Sequence, residues 1–355
     1  MENSNHIIII GGGLSGLSLA YYLRDKPTNV TILEASPRLG GRIHTVAGVL
    51  ATPLELGATW FSERHPNLLI LVEELGLTTF PQFSEGMSLF QSKSFEPPQT
   101  FFVPASQAPS YRLAGGTGQL IDALVNQLDA SLIHLQTEVT GIQDVPRGVV
   151  IQTANGRTFQ ANRVVSCIPL PVMASKVNVT PGLPASLSEL LPSVQTWMGG
   201  SIKFALEYAS PFWRKNGYSG MLYSQADIVV EMYDHTSADG QRYGFTGFLN
   251  GGSSSFTQEV RKELVLRQLG ELFGSEALSP TAYVDKVWND EFLVAGNPVI
   301  HLPHQANGHP LLQQSYLNGK LYFGGTETAR ESPGYMEGAV VAAKKLALQL
   351  ELENS

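Results

Sequence analysis

The alternation of hydrophobic and polar positions divides the start of the chain into strands and helices. Residues 6–10 and 30–34 are short apolar runs rich in β-branched side chains, and residues 14–24 between them repeat apolar positions at helical spacing. This order predicts a βαβ unit, in which the two strands are parallel. Another helix is predicted for residues 66–75, because the segment begins at a proline and ends before Gly76.

The rest of the chain carries further strand and helix patterns. Residues 80–110 hold six of the sixteen phenylalanines among Pro, Ser and Gln, which indicates short strands and loops rather than a disordered linker. The Asn155-Gly156 pair predicts a hairpin turn. Strands are predicted at residues 149–153, 158–160, 164–168, 201–208, 226–233, 283–288 and 321–323, and helices at residues 119–128, 258–273 and 336–350.

The turn between the first strand and the first helix has a dinucleotide-binding sequence. Residues 11–16 (GGGLSG) satisfy G-x-G-x-x-G, in which Gly11 permits the turn, Gly13 lets the backbone approach a pyrophosphate, and Gly16 allows close helix packing. The helix start offers free N–H groups and the positive end of the helix dipole. Glu34 is placed to accept hydrogen bonds from a ribose diol and would repel a 2′-phosphate. NAD and FAD both fit this pattern.

Two arginines follow at once, in residues 37–42 (PRLGGR). The planar guanidinium fork of arginine can bind phosphate oxygens with two hydrogen bonds. A phosphate-bearing ligand is therefore expected to cross the ends of the strands here.

Composition excludes several classes of protein. The 355 residues are 43% hydrophobic, enough for about two domains. The net charge of −8 and the absence of a basic run interleaved with aromatics argue against a nucleic-acid partner. A single cysteine, Cys167, excludes an intramolecular disulfide and a cysteine-rich metal site, and it is expected in the core. No apolar run reaches the roughly 20 residues of a spanning helix, and no signal peptide is evident, so we expect a cytoplasmic protein without a membrane anchor.

Several motifs, in one order along the chain, resemble those of the flavin-containing amine oxidases, the monoamine oxidase-like group. The similar segments are residues 34–42 (EASPRLGGR), 56–60 (LGATW), 200–204 (GSIKF), 211–215 (PFWRK), 322–329 (YFGGTETA) and 332–339 (SPGYMEGA). Together they extend over nearly the whole chain.

The resemblance implies an α/β fold class: a Rossmann-type FAD-binding domain with a discontinuous, smaller α+β substrate domain built on a mixed sheet. The expected FAD-binding domain comprises residues 1–76, 112–174 and 286–355, and the expected substrate-binding domain comprises residues 77–111 and 175–285.

The resemblance also implies FAD as the cofactor, bound non-covalently. Asn297 and Pro298 stand where monoamine oxidases have the flavin-linked cysteine and the second tyrosine of the aromatic cage. We expect no bound metal ion. The implied FAD contacts are Gly11, Gly13, Leu14, Ser15, Gly16, Glu34, Ala35, Arg38, Gly41, Arg42, Gly57, Ala58, Thr59, Val139, Gly325, Thr326, Glu327, Tyr335 and Met336.

Three residues are the implied catalytic candidates. Lys203 lies in an apolar strand, where an unpaired lysine is costly to bury, and the family places there a lysine that holds a water beside flavin N5. Desolvation should lower its pKa, whereas the alternative is a lysine on a solvent-facing strand. Tyr335 matches one wall of the aromatic cage, with core packing as the alternative. Trp288 precedes the segment that supplies the opposite wall, for which Phe292, His301 and His304 are the available replacements.

The predicted function is FAD-dependent oxidation of an amine to an imine, which then hydrolyses to an aldehyde or ketone. Dioxygen or another acceptor would reoxidise the flavin, and dioxygen would yield hydrogen peroxide. The alternatives are a desaturase acting on C–C or ring C–H bonds, similar to protoporphyrinogen oxidase, and a flavoprotein without turnover. Residues 57–116 are far fewer than in the monoamine oxidases, so a more open pocket is expected. The particular amine, the acceptor and the oligomeric state stay open.

Overall fold

The computed structural model describes residues 5–289 and 303–353. The strands are β1 (Asn5–Ile10), β2 (Thr28–Leu33), β3 (Thr45–Ala47), β4 (Pro53–Glu55), β5 (Thr79–Pro81), β6 (Gly86–Gln91), β7 (Gln99–Val103), β8 (Tyr111–Leu113), β9 (Ile133–His134), β10 (Val139–Val145), β11 (Gly148–Thr153), β12 (Thr158–Ala161), β13 (Arg163–Ser166), β14 (Asn178–Thr180), β15 (Ile202–Tyr208), β16 (Tyr218–Ser224), β17 (Val229–Asp234), β18 (Tyr243–Leu249), β19 (Ala282–Val287) and β20 (Leu321–Phe323). The helices are α1 (Leu14–Leu23), α2 (Pro66–Glu74), α3 (Gly118–Val125), α4 (Leu170–Lys176), α5 (Ala185–Leu190), α6 (Phe212–Lys215), α7 (Gln258–Phe273) and α8 (Met336–Leu352).

A five-stranded parallel sheet, ordered β20-β13-β1-β2-β9, forms the centre of the dinucleotide-binding part. Both faces of β1 are buried: Ile7 and Ile9 pack into the core that contains α1 and α8, while Ile8 and Ile10 pack into the core shared with β10 and β11. A strand buried on both faces has no polar face, which explains four consecutive isoleucines. The predicted βαβ unit and parallel sheet are confirmed.

A second sheet of seven strands, ordered β19-β15-β18-β17-β16-β6-β7, is mixed. β16 and β6 are parallel, and the other neighbours are antiparallel. One face packs against α7 through a core that includes Phe204, Met232 and Leu269. The opposite face carries Lys203. The predicted mixed sheet is therefore confirmed.

The predicted division into two domains stays a prediction, although the sheets bear on its boundaries. The boundary at residues 285 and 286 falls inside β19, a strand of the seven-stranded sheet. Residues of β14 pair with β10, so they join the four-stranded sheet β12-β11-β10-β14 rather than the seven-stranded one. We propose that both boundaries follow sheet membership, which moves them to the ends of these strands.

Two strands of the mixed sheet, β16 and β18, have no counterpart among the predicted elements. Glycines at positions 244 and 247 interrupt the hydrophobic pattern of β18. They are required there because a Cβ on Gly247 would collide with the carbonyl oxygen of Glu231 in the neighbouring strand. The strand predicted at residues 226–233 begins later, at Val229, because Asp227 adopts a positive φ of 59° in the preceding turn.

Across residues 5–289 and 303–353, no helix combines the length and the apolar character needed to cross a bilayer. The same residues include no cluster of three or more His, Cys, Asp or Glu side chains arranged to hold a metal ion.

Candidate cofactor and active site

The glycine turn after β1 is tied to the end of β2. Gly11 has a φ of 106°, a conformation that favours glycine. The Glu34 carboxylate accepts the Gly12 N–H at 2.6 Å and the Ser36 N–H at 2.9 Å. A carboxylate has about four lone pairs, so the predicted bonds from a ribose diol remain available to it. A Cβ on Gly16 would collide with the Gly11 carbonyl oxygen, which explains the third glycine of the motif.

A cavity of about 290 Å³ lies in front of this turn. Gly13 and Gly41 both line it and lie against each other, with 3.8 Å from an ideal Cβ on Gly13 to the Gly41 Cα. The predicted FAD contacts that line it are Gly11, Gly13, Leu14, Ser15, Glu34, Ala35, Arg38, Gly41, Arg42, Ala58, Val139, Thr326, Tyr335 and Met336. Gly16, Gly57, Thr59, Gly325 and Glu327 do not line it.

The residues present fit an FAD molecule. Helix α1 begins at Leu14 with no side-chain cap and no acidic residue in its first turn, so its N–H groups face the cavity without a competing anion. The paired glycines leave room for a pyrophosphate to approach the backbone. The carboxylate of Glu34 lies at the end where a ribose would bind. The helix start would therefore hold the pyrophosphate of FAD, and Glu34 would hold its ribose.

The two predicted phosphate-binding arginines have different surroundings. The Arg38 guanidinium donates to the carbonyl oxygens of Leu39, Ile43 and Gly41 at 3.0, 2.9 and 2.6 Å, so it shapes the loop around the cavity. Arg42 lies 2.6 Å from a carboxylate oxygen of Glu327, as an ion pair whose N–H is not aligned for a hydrogen bond. Glu327 is buried and therefore acts through Arg42 rather than on the cavity wall.

Lys203 is buried, with only 2% of the residue exposed, which rules out a solvent-facing side chain. Its ammonium donates to the Gly57 carbonyl oxygen at 2.6 Å and to the hydroxyl of Thr59. It also lies 4.7 Å from the centre of the Trp60 ring. Burial lowers the pKa of Lys203 to about 7, so the neutral amine is accessible near neutral pH. Gly57 and Thr59, predicted to contact FAD, thus hold the lysine.

Charged groups behind Lys203 oppose one another. The Glu55 carboxylate, which accepts bonds from Thr45 and Thr117, favours a protonated lysine, while Arg112 disfavours it. Burial raises the pKa of Glu55 and lowers the pKa of Arg112 to about 10. Burial outweighs the attraction of Glu55, so the net result is the lowered pKa of Lys203.

Tyr335 stands beside two further aromatic rings. His304 stacks on Trp197 with 4.3 Å between ring centres, and Tyr335 lies 5.6 Å from His304 and 5.8 Å from Trp197. The Thr326 hydroxyl donates to the Tyr335 carbonyl oxygen at 2.8 Å, which fixes the backbone where α8 begins. Tyr335 is 41% exposed, so the core-packing alternative is wrong.

Of the candidates for the opposite aromatic wall, only His304 falls within the described residues; Phe292 and His301 lie outside them, as do Asn297 and Pro298, which replace the family's cysteine and tyrosine. Trp197 was not predicted. It follows no strand or helix pattern, and the close packing of its Cβ against Gly334 became apparent only in three dimensions.

Trp288 is buried at the end of β19, and its indole N–H donates to the Leu56 carbonyl oxygen at 2.7 Å. The adjoining residue Gly57 is the one that accepts from Lys203. Within the described residues Trp288 therefore supports the segment that holds the lysine, and its predicted catalytic role stays a prediction.

Comparison with known proteins places the chain in a family. The family model described as flavin containing amine oxidoreductase matches residues 14–101 and 88–350. The chain therefore belongs to the flavin containing amine oxidoreductase family. This membership confirms the predicted class of enzyme, an FAD-dependent oxidoreductase of the amine oxidase type, and confirms FAD as the cofactor.

Individual relatives agree over nearly the full length. The flavin-containing amine oxidase B of Mus musculus is 25% identical over 457 residues, covering 99% of this chain and 86% of that protein. The structure of cyclohexylamine oxidase from Brevibacterium oxydans superposes with a TM-score of 0.84 at 23% identity, covering 99% of this chain and 100% of that one. A putrescine oxidase bound to putrescine gives a TM-score of 0.83 at 20% identity, covering 98% and 99%. The predicted fold class is confirmed.

The cysteine content agrees with non-covalent FAD. Cys167 is the only cysteine, and it borders the cavity, half-buried, rather than lying in the core as predicted. Burial raises the pKa of its thiol to about 12, which leaves little of the reactive thiolate at neutral pH.

Proposed function

We propose that this protein oxidises a neutral amine to an imine and that dioxygen is the final electron acceptor. The observation that carries the proposal is the buried Lys203, held by Gly57 and Thr59 on the sheet face that adjoins the predicted flavin contacts. When bound, FAD supplies the acceptor for the hydride that leaves the carbon next to the nitrogen. The imine then hydrolyses to an aldehyde or ketone.

Lys203 is suited to hold a water and to move a proton near neutral pH, because burial lowers its pKa to about 7. Its two protein partners fix the nitrogen position, and Trp60 covers it from one side. We propose that the lysine positions a water at the flavin during one of the two half-reactions.

Tyr335, His304 and Trp197 supply aromatic faces at the start of α8. We propose that His304 stands in for the missing second tyrosine and that these rings direct the amine nitrogen toward the flavin. An aromatic surrounding favours the uncharged amine, because desolvation penalises the ammonium form.

Reaction stoichiometry tests the proposal. Purified enzyme with FAD is incubated in air with arylalkyl, aliphatic and cyclic amines, and dioxygen consumption, hydrogen peroxide and carbonyl product are measured. Equal amounts of all three are expected for at least one amine. Turnover of a C–C or ring C–H substrate without a carbonyl product would instead support the desaturase alternative.

A pair of variants tests the role of the lysine. Lys203→Met should keep FAD bound but slow one half-reaction on the order of 100-fold, the lower end of the contribution of a proton-transferring group. Lys262→Met, on the exposed face of α7, is the matched control and should react like the unmodified enzyme. Unchanged rates of both half-reactions in Lys203→Met would remove the role assigned to the lysine.

A further inference from the structure

A row of side chains crosses the mixed sheet from Lys203 to the surface. The strand register pairs Lys203 with Phe248, Phe248 with Glu231, and Glu231 with Tyr223. Directly paired residues project from the same face of a sheet, so the four side chains form one row on the face opposite α7. Exposure rises from 2% at Lys203 to 38% at Tyr223, so the row leads from the buried lysine to solvent.

Glu231 is the acidic member of this row, and it is half-buried. One of its carboxylate oxygens accepts from the Tyr233 hydroxyl, which lies 2.6 Å from the Tyr223 hydroxyl. Burial raises the pKa of Tyr233 far above its usual value, so this phenol stays protonated and donates. The hydrogen-bond partner of Glu231 is therefore a neutral phenol.

No Lys, Arg or His nitrogen of residues 5–289 and 303–353 comes within 4.0 Å of the Glu231 carboxylate. Its second oxygen accepts no hydrogen bond from those residues. A partly buried carboxylate is normally paired with a cation, because burying a charge alone is costly. A ligand that carries a cationic group can supply the missing partner of Glu231.

We propose that Glu231 binds the protonated second amino group of a short aliphatic diamine whose first amino group is oxidised beside Lys203. This inference rests on the proposed function and names its substrate class. Two strand spacings, about 10 Å in all, separate the backbones of β15 and β17, a span suited to a short chain.

The surface between the two ends is aromatic. Trp60 lies 5.2 Å from the Tyr233 ring and 6.5 Å from the Phe248 ring, measured between centres. Such a surface suits the methylene groups of a diamine. The two ends differ as a diamine requires, since the lysine end disfavours an ammonium group and the Glu231 end attracts one.

The test compares 1,4-diaminobutane with 1-aminopentane, in which a methyl group replaces the second ammonium, and with 2-phenylethylamine. Flavin reduction is followed without oxygen in the FAD-loaded enzyme, which gives an apparent Kd and a limiting rate for each amine. The unmodified enzyme should bind the diamine about 10- to 100-fold more tightly than 1-aminopentane, as expected for a charge-assisted hydrogen bond. Glu231→Gln should abolish most of this preference.

Two further variants separate charge from structure. Glu263→Gln, on the exposed side of α7, should keep the preference, and Tyr233→Phe, which leaves the carboxylate in place, should keep most of it. Three results would overturn the inference. The unmodified enzyme could bind 1,4-diaminobutane no more tightly than 1-aminopentane, or this preference could survive in Glu231→Gln. In the third, Glu231→Gln would weaken binding of both aliphatic amines equally. Reduction by 2-phenylethylamine alone would overturn it while leaving the proposed function intact, whereas no reduction by any amine would refute both.

Discussion

The titration of Lys203 should appear in the stability of the protein. Burial lowers its pKa from 10.5 to about 7 in the folded chain. Between these two values the unfolded chain binds one more proton than the folded chain, so the free energy of unfolding rises with pH. This gain in stability is lost as the pH falls again through the pKa of about 7. Below that pH both states are protonated and none of the gain remains.

The size of this pH effect on the free energy of unfolding is set by the one proton that the unfolded chain binds and the folded chain does not. Inside the window the free energy of unfolding should rise by about 1.4 kcal/mol per pH unit on account of Lys203, or about 3 kcal/mol between pH 7.5 and 9.5. Lys203→Met has no titrating group at this position. Between pH 7.5 and 9.5 its free energy of unfolding should therefore rise less than that of the unmodified protein, by the same amount. The exposed Lys262→Met should keep the slope of the unmodified protein.

The assay is urea denaturation at several pH values, at one fixed FAD concentration and with equal m-values confirmed for all three proteins. The measured quantity is the difference in the free energy of unfolding between each variant and the unmodified protein. Parallel pH curves for Lys203→Met and the unmodified protein would show that the lysine has an ordinary pKa, which would refute its burial as described.

Three further predictions concern the cofactor and the amine. Arg42→Met leaves the buried Glu327 without its ion pair and should lower stability or FAD affinity by about 3 kcal/mol. Thermal denaturation and FAD fluorescence measure these two quantities. The double variant with Arg42→Met and Glu327→Gln should recover part of the loss. His304→Ala removes stacking on Trp197 and should weaken amine binding about 2- to 10-fold, whereas His304→Phe should retain most of it; equal effects of both would contradict the wall assignment. At low amine concentration, the rate of flavin reduction should rise with pH as more neutral amine is present, and a flat profile would contradict binding of the neutral form.

Much of the dinucleotide-binding part could be predicted because its signals are local. The turn at residues 11–16 and the four isoleucines before it have one structural solution, a buried parallel strand followed by a helix. Helix α7 begins and ends where its pattern predicts, because Thr257 caps its start and Gly274 follows its last residue.

The substrate side was less predictable because its contacts join distant segments. The pairing of β15, β18 and β17 places Glu231 and Lys203 on the same face of the sheet. The sequence did not predict β18, because its glycines interrupt the hydrophobic pattern. The partner of Arg42, Glu327, is far away in sequence and belongs to a motif expected to touch the cofactor itself. Trp197 likewise meets Tyr335 and His304 only through the folded chain.

The central claim, that the flavin of this protein oxidises an amine, is tested most directly by the visible absorption of the FAD-loaded protein without oxygen. Titration with arylalkyl amines, monoamines, diamines and amino acids should bleach the oxidised flavin band with at least one class, and admission of air should restore it with formation of hydrogen peroxide. A flavin band that no amine bleaches would contradict the account.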